Sequence, residues 1–347
     1  MDDYFSNVGR RDPDMTEHAP PRRPRRARRR RIVLVAALAG ALLGGYALGS
    51  AKAAPIGHWR STEGRAAYLE AYDTAFADLP EPADTHDVRT DYGVVRVYRF
   101  AGDGDAELPL VLLPGTASGM PVLADNLPSL LEVGDVYAMD LLGEPGRSIQ
   151  DRPITSDADK AAWLHQALEA LPEDRFHLLG LSIGGWTATN LALHHDEHLA
   201  SLITLDAIQT YDDIPLGTVA RSIPAAFPWM PKAWRDSFSS YTAGGASVED
   251  VPVATMIESG MQNYRMAQPQ PTRITPEQLA TLEQPVLAIL AGRSVMHDPE
   301  EAAATARSTL SDARVEVFPD ASHAINGEYP EEIAALVDDF TTEVEAR

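Results

Sequence analysis

From about residue 94 onward the chain alternates between two apolar patterns. Short, mostly apolar runs rich in β-branched residues and leucine occupy 94–100, 108–113, 136–140, 176–181, 202–206, 286–290 and 315–318. Between them lie longer segments with helical period, at 157–171, 184–195, 299–310 and 330–344. Strands apolar on both faces and alternating with helices predict an α/β fold, a mostly parallel central sheet flanked by helices. The first two runs are joined by a stretch rich in Gly and Asp, and are expected to pair as an antiparallel hairpin. No strand pattern appears between 206 and 285. That stretch holds Phe227, Trp229, Met230, Trp234, Phe238, Tyr241, Met256, Met261, Tyr264 and Met266, and is expected to form a helical cap insertion, 207–284, over one end of the sheet. The folded domain is taken as 87–347, preceded by a segment, 52–86, with one helix around 64–79.

The N-terminus has a different character. Residues 1–31 carry ten arginines against five acids, whereas the rest of the chain holds 19 basic and 46 acidic residues, a net of −27. An acidic body gains nothing from counterion release, so nucleic acid is not an expected partner. The arginines stop where an uncharged apolar stretch, 32–49, begins. A disordered Arg-rich cytoplasmic tail (1–31) followed by a transmembrane anchor (32–51) accounts for both features, with 52–86 as a juxtamembrane segment and the domain outside the cytoplasm. Ala51-Lys52-Ala53 also resembles a signal-peptide cleavage pattern, which would make the domain secreted if cut near Ala53. Gly40-x-x-x-Gly44 and Gly45-x-x-x-Gly49 are spaced to let two such helices pack as a homodimer through the lipid bilayer. The chain contains no cysteine, which removes disulfides, thiolate metal sites and a cysteine nucleophile.

Gly180-Leu181-Ser182-Ile183-Gly184 follows an apolar run and precedes a helical one. A serine in a tight strand-to-helix turn projects its hydroxyl above the sheet, and small neighbours let the two elements approach. Phe318-Pro319-Asp320-Ala321-Ser322-His323 sets a histidine just after the final strand, suited to act as general base toward that serine.

On these motifs, from about residue 94 to the C-terminus, the chain resembles the α/β-hydrolase family of serine esterases and lipases. Leu112-Leu113-Pro114-Gly115-Thr116 is similar to the family's oxyanion loop, with proline where histidine is usual. The resemblance implies an oxyanion hole from the N–H groups of Thr116 and Ile183. Asp140-Leu-Leu-Gly143-Glu-Pro-Gly146-Arg-Ser148 is similar to a structural loop of the family, so Asp140 and Ser148 are expected to shape the site without reacting. The family's acid usually follows the strand at 286–290, where Gly292 is followed by Arg293, Ser294 and Val295. The first carboxylate there is Asp298, taken as the triad acid and equally suited to cap the helix starting at Pro299. The alternative acid is Asp206, at the end of its own strand.

The resemblance implies a carboxylesterase-like enzyme that cleaves an ester through Ser182, His323 and Asp298, with no cofactor and no metal; the N-terminus adds the membrane anchor and the apolar cap a hydrophobic small-molecule substrate. His194, His195 and His198 lack a second ligand group at metal-binding spacing. The competing reading is an inactive scaffold on the same fold, which the displaced acid would favour.

Overall fold

The strands expected from the apolar runs form within three residues of their predicted limits, and four short or polar strands join them. In chain order they are β1 (His58–Trp59), β2 (Asp84–Thr90), β3 (Gly93–Phe100), β4 (Leu110–Leu113), β5 (Val136–Met139), β6 (Ile149–Gln150), β7 (Phe176–Leu181), β8 (Leu199–Leu205), β9 (Tyr264–Arg265), β10 (Val286–Ala291) and β11 (Ala313–Phe318). The computed structural model describes residues 54–77, 79–223, 231–246 and 251–347. The Arg-rich tail, the apolar span at 32–51, and Phe227, Trp229 and Met230 lie outside the described residues. Among the described residues no helix is long and apolar enough to cross a membrane.

The main sheet runs β11-β10-β8-β7-β4-β5-β3-β2, with β6 paired to β3. The pairs from β5 through β11 are parallel, and those involving β2, β3 and β6 are antiparallel. Side chains alternate between two cores, one on each face. In β10, Val286, Ala288 and Leu290 enter one core while Leu287, Ile289 and Ala291 enter the other. β7 divides likewise, with Phe176 and Leu178 opposite Leu179 and Leu181. This double burial is the physical basis of the unbroken apolar runs.

The expected hairpin between β3 and β4 does not form. β5 lies between them, pairing antiparallel with β3 and parallel with β4. The Gly- and Asp-rich connection instead lies on the turn before β5, where a Cβ on Gly102 would meet Gly134 O at 2.1 Å and Gly102 N donates to Asp135 Oδ1 at 2.9 Å. β3 makes its hairpin with β2, an edge strand whose Asp, His and Arg side chains gave no apolar signal.

The compact unit begins at Ala54, so the segment expected as juxtamembrane belongs largely to the fold. Ser61 caps the helix Thr62–Phe76 by accepting from Gly64 N at 2.9 Å. This helix packs on the cap helix Pro252–Asn263 through a small core of Tyr68, Tyr72, Ala75 and Met256. Alongside, β1 pairs antiparallel with β9. The cap insertion carries the helices Leu216–Ser222, Lys232–Thr242, Pro252–Asn263 and Pro276–Leu279; its one strand among the described residues is β9. Met256→Ala should therefore cost about 2–4 kcal/mol in urea unfolding. A cost near zero would mean that the pairing of the N-terminal and cap helices is dispensable.

Candidate active site

Ser182 ends β7 and opens the helix Ile183–His194 with φ 53° and ψ −113°, a backbone conformation that L-residues rarely adopt. Two glycines make the turn sterically feasible. A Cβ on Gly180 would meet the backbone of Gly184 at 2.2 Å, and one on Gly184 would meet Leu113 O at 2.3 Å. Ser182 N donates to Leu205 O at 2.9 Å, tying the turn to β8. As the first residue of its helix, Ile183 has an N–H without an intrahelical acceptor.

The Ser182 hydroxyl donates to His323 Nε2 at 3.0 Å, and His323 Nδ1 donates to Asp206 Oδ2 at 2.6 Å. His323 sits in the loop after β11, braced where Ser322 donates from N and Oγ to Glu328 at 2.7 and 2.6 Å. Asp206 follows β8 directly and is wholly buried with φ 44°. Its other contacts come from β10 and the loop after it. Ala291 N donates to Oδ1 at 2.9 Å, Ser294 Oγ donates to Oδ2 at 2.6 Å, and His297 Nε2 lies 3.1 Å from Oδ1. Burial presses the Asp206 carboxyl upward, but contact with His297 and His323 outweighs it and holds the group well below the usual carboxylate range. The arrangement keeps a carboxylate charged at neutral pH against an imidazole that can take the serine proton.

Asp298, the acid expected from sequence, does not reach His323. It is exposed and caps the helix Pro299–Thr309, with Oδ1 accepting from Glu300 N at 3.1 Å and Glu301 N at 3.3 Å, while its own N–H donates to Asp212. The alternative, Asp206, holds the position against the imidazole. Ser294 and His297, in the loop where the acid was sought, carry no role in the sequence reading, which takes His297 as a loop residue and not as a second base. His194 and His198 also part company: His195 is extended and ends the helix at His194. His195 instead stacks face to face on His165, with ring centroids 4.3 Å apart, and one ligand atom from each of His165, His195 and Glu197 lies within 4.8 Å of the others.

The loop holding Thr116 lies against the nucleophile, since a Cβ on Gly115 would stand 3.9 Å from that of Ser182. Ala117, at φ 57°, donates its N–H to Glu144 Oε2 at 3.1 Å, and Ser118 Oγ donates to Gly115 O at 2.6 Å. Below them Asp140 is fully buried and accepts from Met120 N, Arg147 N and Tyr72 OH, while Ser148 Oγ donates to its carbonyl. Both residues serve the loop architecture, as expected. Thr116 and Ile183 line a cavity of about 370 Å³ whose walls include Trp163, Trp186, Ile208, Phe238, Met266 and Met296. Of the cap residues singled out earlier, Phe238 and Met266 thus face the cavity and Met256 is core. The cavity is not purely apolar. Lys160 lies 4.7 Å over the Trp186 ring and pairs with Asp157 at 3.0 Å, and Glu144 and Gln209 also face the space.

A mostly parallel sheet, a serine at a strained strand-to-helix turn and a histidine after the last strand define an α/β-hydrolase. The chain belongs to the alpha/beta hydrolase family, whose sequence model matches residues 110–336. Over 274 residues, 76% of this chain and 88% of the relative, it is 26% identical to the uncharacterized carboxylesterase nap of Bacillus subtilis (strain 168). It is 22% identical to carboxylesterase YbfK of the same organism over 280 residues, 79% of this chain and 93% of that one. The crystal structure of naproxen esterase (carboxylesterase NP) from Bacillus subtilis superposes with a TM-score of 0.74 at 23% identity, covering 81% of this chain and 99% of that one.

Glu144 gives this site a pH-dependent stability. Burial lifts its carboxyl to about 7, against the lowering effects of hydrogen bonds from Ala117 and Gln268 and the charge of Lys160. Because the folded value lies above the unfolded one of 4.5, the protonated form is favoured by folding, and this contribution is lost as pH rises through about 7. Glu144→Gln should therefore match wild type near pH 4.5 and exceed it at pH 8 by on the order of 2–3 kcal/mol. Thermal unfolding of both proteins across that range checks it, and a difference independent of pH would refute the assignment.

Proposed function

We propose that this chain is a carboxylesterase-like serine hydrolase that cleaves small-molecule esters through Ser182, His323 and Asp206. The observation that carries the reading is the continuous chain from the Ser182 hydroxyl through His323 to a buried, ionised Asp206. The carboxylesterase names of its relatives point the same way.

In this mechanism His323 Nε2 takes the Ser182 proton as Oγ attacks the ester carbonyl. The N–H groups of Thr116 and Ile183 hold the developing oxyanion, assisted by the positive end of the helix Ile183–His194. His323 returns the proton to the departing alcohol, and water, deprotonated by the same imidazole, hydrolyses the acyl-enzyme. Asp206 fixes the imidazole with its Nδ1 proton facing the carboxylate. No step calls on Asp298. The scaffold reading rested on a displaced acid, and with Asp206 bonded to His323 that support falls away.

The basic tail and apolar stretch of the sequence complete the proposal: residues 32–51 anchor the enzyme with its N-terminus cytoplasmic and its catalytic domain outside. Cleavage near Ala53 would instead release it.

Labelling with a fluorophosphonate probe, followed by turnover of a panel of soluble esters, tests the assignment. Wild type should label, and Ser182→Ala should not. Asp206→Asn should slow acylation roughly 10³–10⁴-fold, and Asp298→Asn should stay within about twofold. If Asp298→Asn were the damaging change, the choice of acid would be wrong. A folded wild type that takes no label would sink the enzyme reading altogether.

A further inference from the structure

The mouth of the cavity is rimmed by exposed apolar side chains. Val219 and Met266, which line it, are 45% and 38% exposed. Leu216, 86% exposed, lies three residues before Val219 in its helix, and Trp234, 57% exposed, lies four residues before the cavity-lining Phe238, spacings that put each pair on one helix face. The helices that carry them, Leu216–Ser222 and Lys232–Thr242, are fastened together. Thr218 Oγ and the Tyr241 hydroxyl lie 3.3 Å apart, and the Arg221 guanidinium sits 4.3 Å over the Tyr241 ring. Two exposed apolar residues on the cavity lining and two more one helical turn from it are a surface that water does not favour.

The N-terminal end of the folded unit meets this same part of the molecule. β1 pairs antiparallel with β9, His58 opposite Arg265 and Trp59 opposite Tyr264, and the residue after β9 is Met266 of the rim. Trp59 packs edge-on against Tyr264 at 4.9 Å, and Arg60 N donates to Asn263 O at 2.7 Å. The apolar stretch of the sequence stops at Gly49. From residue 50 to β1 the chain can span at most about 28 Å. If residues 32–49 cross a bilayer, so short a tether keeps β1 and β9 within reach of its surface.

We infer that the apolar rim docks on the lipid bilayer and that the cavity draws its substrate, a lipid ester, from that surface. The inference rests on the esterase reading of Ser182 and on the anchor reading of residues 32–51. It deepens both, because it says which way the mouth faces and what enters it. Docking proceeds by insertion of Leu216, Val219, Trp234 and Met266 among acyl chains. The acidic body, net −27 beyond residue 31, disfavours approach to anionic headgroups, so zwitterionic lipid is the preferred surface.

The test uses the compact unit Ala54–Arg347, which has its own cores and lacks the span, so that any binding belongs to the rim. Flotation with phosphatidylcholine vesicles measures docking independently of catalysis. Hydrolysis of p-nitrophenyl butyrate in solution and of p-nitrophenyl palmitate in vesicles measures turnover of a soluble and a membrane-borne ester. Wild type should float and should turn over the vesicle-borne ester. Leu216→Ser combined with Trp234→Ser, two exposed positions whose change leaves the core intact, should reduce flotation and palmitate turnover at least about fivefold. Butyrate turnover should stay within about twofold. A single Trp234→Ser variant, with about half the loss, covers the case of a double variant that fails to fold. Wild-type protein that stays with the aqueous phase, or variants that float undiminished, would overturn the inference. So would light scattering that finds a dimer lost in the double variant, which would make a second copy the occupant. If wild type floats but hydrolyses no ester, the esterase reading fails and the docking stands.

Discussion

Everything at the site depends on a backbone that is held where it would not otherwise rest. Among the described residues, the non-glycine residues at positive φ are Ala117, Ser182, Asp206 and Gln209: Ser182 and Asp206 form the hydrogen-bonded chain, Gln209 lines the cavity and Ala117 follows the cavity-lining Thr116. Such conformations cost on the order of 1–3 kcal/mol each. They persist because the flanking strands are buried on both faces and leave the turns no room to relax. At Ser182 the constraint is most visible: with a side chain at Gly180 or Gly184, β7 and its helix could not approach closely enough to make the turn. The strain lifts the hydroxyl clear of the sheet and toward His323, which sits in a loop fixed by Ser322 and Glu328.

The position of the acid follows from electrostatics rather than from motif spacing. A carboxylate can remain charged in a fully buried place only if donors surround it. Asp206 has Ala291 N, Ser294 and His323 as donors and His297 at contact distance, three of the four from β10 and the loop after it. The strand end where an acid was sought thus supplies hydrogen-bond donors to an acid on the neighbouring strand. Asp298 is free to cap its helix because the chain order Ser, Asp, His is already met by Asp206.

The sequence displayed those parts of the fold whose burial leaves a one-dimensional trace. Strands apolar on both faces, the elbow glycines around Ser182 and the helix after each strand were legible for that reason. β2 was not, because an edge strand needs only one buried face and advertises charge on the other. Nor was the role of the helix Thr62–Phe76, whose buried face is largely Tyr68 and Tyr72 and so looks amphipathic only once the cap lies over it. The choice between Asp206 and Asp298 could not be made along the chain. Both are carboxylates after a strand on one edge of the sheet, and what separates them is which one the histidine loop approaches, a contact across 117 positions. Glu144 is a similar case, since its burial depends on Gln268 and Lys160, remote in sequence.

Putting the acid at the end of β8 also ties it to the cap, which begins at the next residue. If the cap moved as a whole, Asp206 would move with it and the hydrogen bond to His323 would be lost. The structure prevents this by pinning the two stems of the insertion near the sheet. Tyr211 OH lies 3.1 Å from Thr204 Oγ on β8, Ile274 N donates to Gln209 O at 2.9 Å, and the Trp186 indole donates to Thr272 O at 2.8 Å. These contacts join the outgoing stem to the returning one and fix both to the sheet and to the helix that follows Ser182. The cap helices beyond them, from Leu216 to Asn263, can therefore vary in sequence and position to suit a substrate without disturbing the acid. The cavity wall accordingly combines residues of the framework, such as Trp186 on the helix after Ser182, with contributions from the cap such as Phe238 and Met266. Ser182, His323 and Asp206 belong to the sheet framework, and the part of the cavity wall that Phe238 supplies lies beyond the stems.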